Sequence, residues 1–149
     1  MWIQVHEMLK IEGGGEEQAK EEIHAYNPLV PEGNSLTFTL MFEIDNKQKR
    51  SEVLGQLGGV EESIELQFLQ NKIKATSAAG DEVERTTADG KTSAVHFLKF
   101  TLTEKEKNDF KNLSESNQVI LAIGHQNYNH ATFLSPVLTN ALKEDLSLK

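Results

Sequence analysis

The chain has 149 residues, of which 38% are apolar and 26% charged, with no cysteine and a net charge of −8. Such a length and balance predict one soluble globular domain spanning 1–149 with a single core. The missing cysteine excludes disulfides, a cysteine nucleophile and thiolate-held zinc or iron–sulfur centres within this chain.

Seven Glu against two Lys lie between Met1 and Glu32, so the acidity is concentrated toward the N-terminal end. An acidic surface repels nucleic-acid phosphates and anionic lipid, which predicts neither nucleic acid nor membrane as a partner. It favours a basic partner or a cation, or serves solubility alone. No apolar run is long enough to cross a bilayer, and no basic-then-apolar leader opens the chain; a cytoplasmic location is the expectation.

In chain order, Trp2, Val5, Met8 and Leu9 recur at helical spacing, and Gly13-Gly14-Gly15 stops that helix. Glu16 to Tyr26 predicts a second helix, with Ala19, Ile23 and Tyr26 on one face, ended by Asn27-Pro28. Leu36, Phe38, Leu40, Phe42 and Ile44 alternate with other residues, the clearest strand signal in the chain. Asn46 caps a helix running to about Leu57, with Val53, Leu54 and Leu57 inward and Gly58-Gly59 closing it.

Strands are predicted at Ile64–Leu69, Lys72–Thr76, Glu82–Thr87 and Thr92–Leu102, forming a meander. Asp89-Gly90 supplies a turn that needs positive φ. Thr103 and Glu106 form a capping box for a helix to Leu113, with Phe110 and Leu113 inward. Val119–Ile123 reads as a strand ended by Gly124, and His125 to His130 reads as a loop. Ser135-Pro136 starts a last helix to about Leu146, placing Leu138, Ala141, Leu142 and Asp145 on neighbouring turns. Hairpin-length connections predict an α+β fold, a mainly antiparallel sheet covered by helices.

The sequence holds no P-loop, nucleophile elbow, zincin helix or dinucleotide fingerprint. Glu21-Glu22-Ile23-His24 has the Glu-x-x-His spacing of carboxylate-bridged di-iron sites, but it occurs once, and a solvated acidic helix face explains it. The richest stretch is Asp89 to Phe100. There His96 shares a face with Ala94, Leu98, Phe100 and Leu102, while Val95 and Phe97 point the other way. A strand apolar on both faces belongs in the middle of a sheet, so His96 is expected in the core or at a cavity wall.

The plain reading of His96 is a hydrogen-bonded core histidine. The functional one is a ligand-binding or proton-transfer group, with Thr92 on its face and Lys91 and Arg85 framing an anion. Tyr26 and Asn27, in the rigid Tyr26-Asn27-Pro28-Leu29-Val30-Pro31 turn, are further ligand-binding candidates. His96 and His125 are the candidate metal ligands. Together these residues carry the alternative of a small enzyme or metal-binding protein.

Four blocks, in order, resemble a bacterial family, domain of unknown function 3501. They are Val5-His6-Glu7-Met8-Leu9-Lys10-Ile11-Glu12, Ala25-Tyr26-Asn27-Pro28-Leu29-Val30-Pro31, Leu57-Gly58-Gly59-Val60-Glu61 and Lys91-Thr92-Ser93-Ala94-Val95-His96-Phe97. The family has no established activity. The resemblance implies a form lacking the family's N-terminal segment. It also implies, through gene neighbourhood, an accessory role beside rubrerythrin-like or iron–sulfur redox partners. That shortened start and the two-sided strand together predict a homo-oligomer.

Overall fold

β1 (Ser35–Met41) turns the longest alternation of the sequence into a strand. Its partner is β5 (Val95–Thr101), antiparallel from Ser35↔Thr101 to Met41↔Val95. The computed structural model describes residues 33–78 and 90–147, together with Lys20, Ile23, Asn27 and Val30. The two N-terminal helices expected from the sequence, apart from Lys20 and Ile23, which are helical, lie outside the described residues, as does the strand expected at 82–87. β1 is shorter than its alternation suggests. Phe42 still donates its N–H to Ala94 O at 2.9 Å, but Ile44 N–H folds back onto Phe42 O at 3.2 Å and takes the chain off the sheet.

Asn46 caps α1 (Lys47–Leu54) by accepting from Lys49 N at 2.9 Å. The α-helix stops at Gly55, before the Gly58-Gly59 pair expected to end it. The chain tightens there into three-residue turns, Gln56 N to Val53 O and Leu57 N to Leu54 O, which still bury Leu54 and Leu57. A short 3₁₀ turn at Val60–Ser63 leads into β2 (Ile64–Phe68), which hairpins into β3 (Asn71–Lys74).

After one residue, Ala75, the chain enters β4 (Thr76–Ser77) and a different sheet. The meander is therefore two antiparallel sheets rather than one, ordered β1-β5-β4 and β3-β2-β6-β7. β6 (Val119–His125) pairs with β2, and β7 (Tyr128–Phe133) pairs with β6. β5 is central, as its composition implies, but it is not buried on both faces. His96, Leu98 and Phe100 are inside, Val95 is 41% exposed, and Phe97 and Lys99 are half-buried.

The two sheets and the last two helices share one core. Leu36, Leu98 and Phe100 come from the first sheet, Ile64, Leu66, Phe68, Ile73 and Val119 from the second. α2 (Glu104–Lys111) adds Phe110, wholly buried and edge-on to Phe68 at 5.0 Å. Each such side chain contributes roughly 1.5–3 kcal/mol by leaving water. The Thr103–Glu106 capping box holds the start of α2, Glu106 N to Thr103 Oγ1 at 3.3 Å and Thr103 N to Glu106 Oε2 at 2.8 Å.

α3 (Pro136–Asp145) is capped by Ser135 as its sequence predicts. Thr139 and, just past the helix, Leu146 are buried and Leu142 packs against the core, whereas Leu138 is 46% exposed. No described helix is long and apolar enough to cross a membrane.

Candidate functional site

His96 sits one pleat into β5 and is 1% exposed. Its Nε2 lies 2.9 Å from the Ser93 carbonyl and 3.1 Å from Thr92 Oγ1. A carbonyl oxygen can only accept, so Nε2 carries the hydrogen, donates to Ser93 O and shares it with the Thr92 hydroxyl. Strand alternation alone would put Thr92 on this face and Ser93 on the other. Both residues reach His96 because the regular strand starts only at Val95 and the chain curls through a bend at Ala94. The Ser93 hydroxyl holds that curl, donating to Val95 O at 2.9 Å and accepting from Val95 N at 3.2 Å.

The curl is fastened to the end of α1. Thr92 N donates to Leu54 O at 3.0 Å, and Lys91 Nζ to Ser51 Oγ at 3.1 Å. Gly90, just before, has φ +81°, the left-handed geometry that a turn here requires.

On the other side of the same segment is the β6–β7 hairpin. The stretch expected to be a loop is two strands joined by the two-residue turn Gln126-Asn127. His125 donates from Nε2 to Gly58 O at 3.2 Å and accepts Asn127 N–H at Nδ1, also 3.2 Å. Asn127 Nδ2 adds a bond to Gln56 O at 2.8 Å. Both ring nitrogens of His125 are thereby spent on backbone, which leaves its lone pair engaged rather than presented to a cation.

Phe42 bridges the two regions, with its ring edge-on to His96 and to Tyr128, both at 6.3 Å. Tyr128 in turn stacks on His130 at 4.7 Å. The segment leading into β5, which bonds His96, and the hairpin carrying His125, Tyr128 and His130 thus converge on Ser51–Gly58, which the sequence marks only as the end of a helix. No sequence signal foretold Gln56 and Gly58 as carbonyl acceptors, because their partners are far along the chain.

Arg85 and Tyr26 lie outside the described residues. Asn27 is exposed and accepts Val30 N–H at 3.0 Å through its carbonyl. Among the described residues, no three His, Asp or Glu side chains come together as a metal-binding group. What the arrangement does chemically is saturate backbone carbonyls with side-chain and backbone N–H donors.

The profile of a family described as protein of unknown function DUF3501 matches residues 1–146. A novel protein of unknown function from Burkholderia pseudomallei K96243, known as a crystal structure, is similar at 33% identity with a TM-score of 0.80. The likeness covers 95% of this chain and 72% of that one. No curated protein matches the chain.

Proposed function

The chain belongs to the family of proteins of unknown function DUF3501, and on that premise we propose that it is a cytoplasmic accessory protein that works by binding. The observation that supports binding most is β7. All six of its residues are exposed, although the strand is paired along its whole length to β6. Two of the side chains that suggest chemistry also hold backbone in place. His96 Nε2 serves Ser93 and Thr92, and His125 serves Gly58 and Asn127.

The partner class is a rubrerythrin-like or iron–sulfur redox protein. Its support is the family resemblance, together with a cysteine-free composition that leaves the cluster to the partner. The test is affinity capture from an extract of the native host, using the full chain as bait and mass spectrometry as readout. Retention of an iron–sulfur or rubrerythrin-like protein is the expected result, and capture without any such protein removes this partner class.

A further inference from the structure

β7 has a hydrogen-bonding phase that its hairpin fixes. With Gln126-Asn127 as a two-residue turn, His125 and Tyr128 face each other as the closing pair, and pairs along an antiparallel ladder alternate between bonded and non-bonded. Tyr128, His130 and Thr132 therefore spend their N–H and C=O groups on β6. Leu134 continues the same phase, donating to Val119 O at 2.8 Å. The N–H and C=O groups of Asn129, Ala131 and Phe133 point the other way. On that side no described strand pairs with β7, which ends the order β3-β2-β6-β7.

Sheet edges are ordinarily guarded by a lysine, a proline, a bulge or brevity. β7 reads Tyr-Asn-His-Ala-Thr-Phe, with no Lys, Arg, Asp, Glu or Pro among its six residues, and it pairs with β6 without a bulge. At its far end Phe133 is 64% exposed, followed by Val137 at 81% and Leu138 at 46%.

We propose that β7 pairs antiparallel with β7 of a second copy of this chain, with Ala131 opposite the partner's Ala131. This rests on the reading of β7 as a recognition element and names its occupant. A second copy fits for two reasons. In that register Asn129 faces the partner's Phe133, and the three outward residues of each strand meet the same three of the other, so every donor finds an acceptor under a two-fold axis. The chain also carries −8, so two copies repel over most of their surface, and a strand free of acidic and basic side chains brings them together at least electrostatic cost. The two four-stranded sheets become one continuous sheet, and any redox partner meets the pair.

The test is light scattering on the full chain over a concentration series, with Ala131→Pro and Ala131→Lys beside it. The proline removes an N–H that the hairpin does not use, and the lysines place like charges across the axis. Because the chain has no cysteine, Ala131→Cys also reports directly through a short bis-maleimide, with Lys72→Cys on the opposite edge of the sheet as control. The expected result is a species of twice the 16.7 kDa chain mass. Either edge variant should weaken it about tenfold or more, with unchanged circular dichroism, and crosslinking should occur at 131 and not at 72. A chain that stays monomeric, or a dimer indifferent to both edge variants and uncrosslinked at 131, overturns the proposal. A monomer leaves the capture experiment standing as the separate test of the redox partner, and a dimer that captures nothing overturns only that partner.

Discussion

Thr92 gives its backbone N–H to the carbonyl of Leu54 across 3.0 Å, joining the start of one central strand to the end of a helix far back in the chain. The Lys-Thr-Ser run is thereby a splice. Its backbone reaches α1, its Thr92 hydroxyl and Ser93 carbonyl reach His96, and its lysine reaches Ser51.

The hydroxyl's share in that splice is separable from its bulk. Thr92→Val keeps the shape and removes the bond to His96 inside a buried site, so unfolding in urea should show a loss of about 1 kcal/mol. His96→Ala, which also opens a cavity, should lose about 2–5 kcal/mol. In the double variant the losses should fall short of additive by about 0.5–1.5 kcal/mol, since both singles break one contact. Strict additivity would mean that the 3.1 Å contact contributes nothing.

His125 was a metal candidate from its position beside a strand end. With Nδ1 accepting from Asn127 and Nε2 donating to Gly58, coordination would require breaking a backbone bond. Zinc titrated calorimetrically into the wild-type chain and into His125→Ala should give superimposable isotherms. A binding event present only in the wild type would show that the ring turns outward.

Phe110 is the keystone where α2 meets the second sheet, fully buried and edge-on to Phe68. Phe110→Ala should cost about 3–5 kcal/mol, readable as a lower urea midpoint with the slope unchanged. A loss below ~1 kcal/mol would mean that the core collapses into the space.

Gly59 has φ +76°, and a Cβ built there meets nothing within 4 Å. Any cost of Gly59→Ala is therefore backbone conformation alone, about 1–2 kcal/mol. Gly59→Asn should cost less, because asparagine tolerates the left-handed region. Equal losses for the two variants would point to a steric cause.

What the sequence disclosed follows physical contrast. Strands with one wet and one dry face were legible, as at Leu36-Phe38-Leu40, and so were caps whose side chains bond within a few residues, at Asn46, Thr103 and Ser135. β7 was illegible because all six of its residues are exposed and no apolar rhythm is needed. The burial of His96 was legible from alternation. Its tie to Leu54 through Thr92, and the Phe42 ring between His96 and Tyr128, were not, since each joins segments that only the fold brings together.

Ala75 is the single residue between a strand of one sheet and a strand of the other, itself buried and anchored by its N–H to Ile64 O at 2.9 Å. A passage that short has no slack. Adding or deleting one residue there would turn one of the two flanking strands over relative to its sheet, because side chains alternate with period two. The two sheets thus share a single setting. Length changes that this protein can tolerate must fall in its other connections, and the step from Lys74 to Thr76 serves as the fixed hinge pin against which both registers are kept.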